Sequence, residues 1–223
     1  MNQYKSYAKL NRFIHVLKKR SDGYHDIQSL FQLIDLADII TFKKRKDKRI
    51  LIKSNIKKLE QKNIIFDTVS LIKKKYPKKN IGLDIELKKY IPLGSGLGGG
   101  SSNAATTLKA LNSIYNLNMR KQKLLTVAAR LGADVPFFVN EKNAWVEGKG
   151  DILTNIYIQP SLFILIFSKH VISTKEMYQN LKLYDKNCSY SYEDFLNGNT
   201  SNSFERHVFS NFPSIKKAAE NLS

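Results

Sequence analysis

Acidic residues are scarce in this chain: 19 Asp and Glu stand against 37 Lys and Arg, leaving a formal charge of +18 over 223 residues. Basic residues cluster at Lys43–Arg49, at Lys73–Lys75 and at Lys78 with Lys79. Such clusters could meet a polyanion. The plainer origin is codon drift in an AT-rich genome, because Lys far outnumbers Arg and because Asn and Ile are abundant too. Cysteine is almost absent. Cys188 stands alone, which excludes an internal disulfide and a zinc site built from paired cysteines, and suits a reducing compartment. Long apolar runs are missing as well. The longest is Leu162–Phe167, far short of a membrane span, and Met1–Leu10 alternates without the apolar stretch of a secretion signal. A soluble, untargeted, cytoplasmic protein is expected, with no membrane partner.

At 42% hydrophobic content the chain can bury one good core, or one core with a smaller second unit. The β-branched segments Asp38–Phe42 and Arg49–Lys53, separated by a charged run, predict two strands of a hairpin. Ile65, Phe66, Val69, Ile72 and Tyr76 recur at helical spacing, with lysines at the C-terminal end where the helix dipole favours cations, so a helix is predicted over 64–76. Ile81, Leu83, Ile85 and Leu87 alternate with Gly82, Asp84 and Glu86, the period of a half-buried strand in an antiparallel setting. A further helix is predicted from about Arg120 to Leu131, capped by Gly132 and closed off by Pro136. Leu162–Phe167 reads as a buried strand.

The most informative stretch follows the alternating strand. In Pro92-Leu-Gly-Ser-Gly-Leu-Gly-Gly-Gly-Ser-Ser-Asn-Ala-Ala105, five glycines fall within seven positions, ahead of a helical run whose buried face is Ala104, Ala105, Leu108, Leu111 and Tyr115. Ordering so many glycines is entropically costly, so something must sit where side chains would obstruct it. Successive N–H groups turned inward, together with a helix N-terminus, make an anion cradle suited to a triphosphate. Pro92, Gly94, Ser95, Gly96, Leu97, Gly98, Gly99 and Gly100 form it; Ser101 and Ser102 can add hydroxyls to phosphate or to Mg²⁺. Gly94, Gly96 and Gly99 satisfy G-x-G-x-x-G, but the acidic residue a dinucleotide fold needs about twenty positions on is missing, as none lies between Glu86 and Asp134. No Gly-Lys-Ser/Thr tripeptide occurs, which excludes a Walker A loop.

These residues resemble the second motif of the GHMP kinases, the family of galactokinase, homoserine kinase, mevalonate kinase and phosphomevalonate kinase. The triple-glycine form is typical of the members that act on 4-diphosphocytidyl-2-C-methyl-D-erythritol. Ala8-Lys9-Leu10-Asn11 resembles the family's N-terminal motif; Arg20-Ser-Asp-Gly-Tyr-His25 and Leu30-Phe31-Gln32 resemble the stretch framing the diphosphocytidyl substrate. The resemblance implies an α+β GHMP kinase fold, with an S5-domain-2-like ATP-binding part over 1–155 and an incomplete ferredoxin-like part over 156–223. It implies transfer of the ATP γ-phosphate to the substrate's 2-hydroxyl with Mg²⁺, by a monomer or homodimer. Asp134, in Leu131-Gly-Ala-Asp-Val-Pro-Phe-Phe138, is the candidate base, and its apolar neighbours raise its pKa unless a cation restores the ionised form. Lys9 is the implied cation, orienting and polarising. Asn63 matches a position at adenine. Tyr24, His25 and Tyr178 are implied around the cytosine ring, with Asn11 and Phe31 lining the same pocket. At Ser173-Thr174-Lys175 the chain departs from the family's common Pro-Thr-Pro.

The family's third glycine motif has no counterpart before Ser223. A shortened kinase is therefore expected, with an unpaired edge or lost cover on one face at Leu162–Phe167 and with lowered or absent activity. Two other readings stand beside this one: a GHMP kinase of another small alcohol, and a basic nucleic-acid-binding protein whose affinity would fall steeply with salt.

Overall fold

Strand β1 (Asn2–Lys19) runs into β2 (His25–Lys44), with which it pairs. The structure is a computed structural model, and it describes residues 2–61, 63–170, 172, 174–181 and 189–221. Cys188 and Ser173 lie outside the described residues. Two units divide the chain: Met1–Leu10 with Leu33–Lys142, and Asn11–Gln32 with Asn143–Ser223.

In the first unit, β3 (Ile50–Ser54) and β4 (Leu83–Lys88) flank α1 (Ile64–Lys75) in sequence. The alternation of Leu83, Ile85 and Leu87 does place all three in the core, while Glu86 and Lys88 stay exposed. Pairing corrects the expected hairpin. β2 and β3 are both strands, but β4 lies between them, antiparallel to β2 (Ile40↔Leu87, Phe42↔Ile85) and parallel to β3 (Ile50↔Leu83, Ile52↔Ile85). A parallel pair needs a crossover, and α1 supplies it. The charged run between β2 and β3 is pinned to β4: Arg45 N donates to Gly82 O, Leu83 N to Arg49 O, and the Arg45 guanidinium bridges Asp47 (2.7 Å) and Asp84 (2.5 Å).

Helix α1 buries Ile65, Thr68, Val69 and Ile72, whereas Phe66 points outward at 44% exposure. Its N-cap is Asn63, whose Oδ1 accepts from Ile65 N and Phe66 N. Helix α2 (Gly99–Ile114) packs on α1 and buries the predicted face. Helix α3 (Lys121–Ala128) ends earlier than expected, with Ala129 at its C-cap and Gly132 outside the left-handed region. Pro136 likewise starts a helix instead of stopping one. It is the second residue of α4 (Val135–Asn140), where the missing N–H has no intrahelical partner to lose. Phe42, Ile65, Ile72, Leu108, Leu111 and Phe137 are fully buried, each contributing about 1.5–3 kcal/mol by leaving water.

In the second unit, β5 (Ala144–Glu147) pairs with the first half of β2 and with β6 (Ile152–Asn155). Phe13 meets the rings of Trp145, Tyr190 and Phe195, and Ile14, Val16 and Ile27 form a small core beneath Tyr178, Leu181 and Phe204. Four short helices follow, α5 (Thr174–Gln179), α6 (Tyr192–Leu196), α7 (Glu205–Asn211) and α8 (Pro213–Glu220). The expected buried strand at Leu162–Phe167 is not one. The segment has no ladder partner among the described residues and leaves Leu162 and Ile164 open to solvent, while Phe163 is half-buried under the Arg12 guanidinium, 5.1 Å from its ring. An apolar β-branched and aromatic run marks a segment able to enter a sheet; a neighbouring strand is what makes it one.

A Cβ at Gly82 would fall 1.7 Å from the Asp47 carbonyl oxygen, a clash with backbone that no rotamer relieves. Gly82→Ala should therefore destabilise the first unit by about 1–3 kcal/mol or more, read as a lower urea midpoint; an unchanged midpoint would show that the Asp47 turn moves freely.

Candidate active site

Three glycines give the loop its shape. Gly94, Gly96 and Gly98 hold φ of +71°, +75° and +70°, a left-handed backbone alternating with Ser95 and Leu97. Side chains rarely tolerate that region. Gly98 is also the N-cap of α2, so the N–H groups that open the helix face the loop with no intrahelical acceptor. The loop walls a cavity of about 310 Å³ lined by Ile64, Lys89 and the residues from Pro92 to Ser101. Close approach adds a second constraint at Gly98 and explains Gly99, whereas a Cβ at Gly100 would meet nothing within 4 Å. A Cβ at Gly98 would meet Phe138 at 2.6 Å and the Lys9 stem at 3.2 Å; one at Gly99 would meet the Lys89 ammonium at 2.7 Å and Ile91 at 2.9 Å.

Lys9 is held at both ends. Its backbone N–H donates to Leu97 O at 3.0 Å, and its Nζ reaches Asp134 Oδ2 at 3.5 Å. The ammonium is almost wholly buried, while the Asp134 carboxylate keeps 33% exposure, so the open side of the pair is the carboxylate. Burial pushes the Lys9 amine below its ordinary value, opposed by the charge of Asp134 and its hydrogen bond. Asp134 occupies the N-cap position of α4, yet its side chain makes no capping bond there. A purely structural cap would use that oxygen.

The remaining loop residues differ in role. Ser101 lines the cavity, whereas Ser102 is buried and accepts a hydrogen bond from Ser6 at 2.8 Å. Asn63 is committed as a helix cap, its Nδ2 donating to Leu59 O, and it is Ile64 beside it that lines the cavity. Lys89 was not legible as a site residue from its sequence position; the available signal was a lysine directly ahead of the glycine run. Among the described residues no three His, Cys, Asp or Glu side chains gather as a metal cluster. The hydroxyl of Ser101 remains a fitting ligand for a metal whose other partners are phosphate oxygens.

In the second unit, the turn Arg20–His25 is shaped by Gly23 at φ +83° and by Arg20, which bridges Asp22 at 3.1 Å and Asp26 at 2.7 Å. Tyr24 is 58% exposed, with Lys149 Nζ 5.2 Å from its ring centroid. His25 and Tyr178 stack directly, centroids 5.1 Å apart and planes at 26°, leaving no ring-width gap between them. Burial, and after it the charge of Lys19, pushes the His25 imidazole below its ordinary 6.5. Asn11 is exposed on β1, and Phe31 is buried, its backbone in register with Ala144.

Asp134→Asn removes the charge and weakens the hydrogen bond that together hold the Lys9 amine up, so that amine should titrate at still lower pH in the variant. The ¹³Cε resonance of Lys9 reads the midpoint, and identical midpoints in the two proteins would contradict the pairing.

Comparison with known proteins gives the same answer along nearly the whole chain. Residues 63–142 match the GHMP kinases N terminal domain. The 4-diphosphocytidyl-2-C-methyl-D-erythritol kinase of Francisella tularensis subsp. tularensis (strain SCHU S4 / Schu 4) is 40% identical over 222 residues, covering 99% of this chain and 81% of the relative. That of Acinetobacter baylyi is 39% identical over 224 residues, covering 96% and 78%. A crystal structure of 4-(cytidine 5'-diphospho)-2C-methyl-D-erythritol kinase superposes with a TM-score of 0.79 at 27% identity, over 97% of this chain and 81% of that one. Mevalonate kinase, at 14% identity and a TM-score of 0.55 over 70% of this chain and 56% of that one, shares the fold. A glycine cradle of this form, met by identity on that scale across almost every residue, leaves one family: the chain belongs to the 4-diphosphocytidyl-2-C-methyl-D-erythritol kinases, with the GHMP kinase fold.

Proposed function

We propose that this chain transfers the γ-phosphate of ATP to the 2-hydroxyl of 4-diphosphocytidyl-2-C-methyl-D-erythritol, a step of non-mevalonate isoprenoid precursor synthesis. The observation that carries the reading is the attachment of Lys9 to the glycine loop at one end and to the half-open Asp134 carboxylate at the other. Phosphoryl transfer asks a protein chiefly to position reactants and neutralise charge. The loop N–H groups and the α2 N-terminus take the triphosphate, and Mg²⁺, held by phosphate oxygens and Ser101, would neutralise developing charge. Asp134 accepts the hydroxyl proton. Lys9, too buried to leave, orients that hydroxyl beside the carboxylate. Adenine lies at the start of α1, against Ile64 with Asn63 behind it.

The cytosine end belongs to Tyr24, His25 and Tyr178, with Asn11 and Phe31 around them. For His25 and Tyr178 to sandwich a pyrimidine, Tyr178 must move off the imidazole it now covers. Tyr24 offers an exposed ring without any such movement. The substrates are small molecules in the cytoplasm, and no helix among the described residues is long and apolar enough to cross a membrane.

Asp134→Asn preserves shape while removing the proton acceptor. Its kcat should fall roughly 10²- to 10⁴-fold with the ATP dissociation constant nearly unchanged, followed by ADP release; a kcat within about twofold of the native value would remove Asp134 from the base role.

His25 supplies a pH test. Because its folded value lies below 6.5, the imidazole is mostly neutral at pH 6.5 and gains most of its proton in more acid solution. The unfolded chain protonates first, so His25 costs stability as pH falls below 6.5. Cytidine diphosphate affinity, measured by calorimetry, should accordingly be highest in neutral to alkaline solution and lose half its value at a pH below 6.5. A midpoint above 6.5 would show that the neutral ring is not the reader of the base.

A further inference from the structure

One buried carboxylate in the first unit takes no part in the transfer just described. Asp38, on β2, is 0% exposed, and Lys89, the residue after β4, brings its ammonium to it with a side-chain exposure of 3%. Lys89 Nζ donates to Asp38 Oδ2 and to Asn103 Oδ1, the latter at 3.4 Å. The other carboxylate oxygen accepts the backbone N–H groups of Tyr90 at 2.8 Å and Ile91 at 2.9 Å. Asn103 Nδ2 donates to Asp38 Oδ2 at 2.9 Å. One side chain thus grips three consecutive residues entering the glycine loop and, through Asn103, the helix that leaves it.

Chemistry fixes the direction of every bond in this group. An ammonium only donates and a carboxylate only accepts, so Lys89 turns the Asn103 amide with its oxygen inward and its NH₂ toward Asp38 and Ser6. Asn103 Nδ2 then donates to Ser6 Oγ at 2.9 Å, and Ser6 Oγ donates to Ser102 Oγ at 2.8 Å, in the first turn of α2. The Lys89 ammonium also stands against the cradle, 2.7 Å from the place of a Cβ at Gly99, and Lys89 lines the cavity.

A loop of five glycines left to itself would lose its conformational freedom only when ligand arrived, and affinity would fall by that cost. We propose that Asp38 is a positioning residue for nucleotide binding: acting through Lys89, Asn103 and Ser6, it holds both ends of the glycine loop and pre-forms the triphosphate cradle. The inference rests on the kinase reading above. Its consequence falls first on the nucleotide, because the cytosine end of the alcohol is read by Tyr24, His25 and Tyr178 and not by the clamped loop.

The test uses the full chain. Asp38→Leu combined with Lys89→Met replaces the pair by apolar groups of similar size and leaves no lone buried charge. The ATP dissociation constant, measured by calorimetry without the alcohol, should rise about tenfold or more. KM for the alcohol should stay within about twofold, and amide hydrogen exchange in 93–100 should quicken. A merely structural pair would lower the melting temperature with ATP affinity and loop exchange unchanged, and that result overturns the proposal. If the double variant does not fold, Ser6→Ala decides, since it removes one hydroxyl and strands no charge: ATP binding about threefold weaker with faster loop exchange upholds the clamp, and native affinity overturns it. Failure of the kinase reading shows separately, as a native chain that binds no ATP, and the proposal falls with it.

Discussion

Backbone with no side chains, packed against four fixed side chains, is the constraint on which the first unit turns. Phe138 and the Lys9 stem lie where a Cβ of Gly98 would be, and Lys89 with Ile91 lies where a Cβ of Gly99 would be. The same closeness that forbids side chains brings loop, lysine and carboxylate together. Phe138 belongs to α4, which begins directly after Asp134, so the helix that walls the loop also presents the carboxylate. Lys9 sits on β1 with its backbone bonded to the loop at Leu97. Moving any one of the three displaces the others, which is how a flexible sequence becomes a rigid receptor for an anion.

The second unit is held differently. Its cohesion comes from aromatic edges and faces around Phe13 and from a core of few aliphatic residues, and its short helices bury almost nothing beyond Met177. A unit of that kind opens locally at low cost. The stack of His25 on Tyr178 is one ring against another, a contact of about 0.5–1.5 kcal/mol beyond area burial, small enough for a pyrimidine to replace.

Local pattern was legible in the sequence wherever burial on one face dictated it. The alternation of Leu83, Ile85 and Leu87 and the faces of α1 and α2 follow from period alone, and the glycine run could be read as an anion cradle because so much lost entropy needs a reason. Pairing was not legible. Nothing in Asp38–Phe42 or Arg49–Lys53 says that Leu83–Lys88 inserts between them, since a strand's composition records its faces and not its neighbours. Pro136 misled because the same missing N–H that ends a helix from inside is harmless in its first turn. Leu162–Phe167 misled in the opposite way: its continuous apolar run is real, but no strand stands beside it among the described residues. The pairing of Asp38 with Lys89 spans fifty-one positions and only the fold reveals it.

Phosphoryl transfer to one alcohol is read out by mass spectrometry of the organic product. The purified chain is incubated with Mg²⁺-ATP and an equimolar mixture of 4-diphosphocytidyl-2-C-methyl-D-erythritol, mevalonate, homoserine and galactose. Only the diphosphocytidyl alcohol should gain a phosphate, in step with ADP release. Phosphorylation of another alcohol in its place, or ADP release with no phosphorylated alcohol, would contradict it.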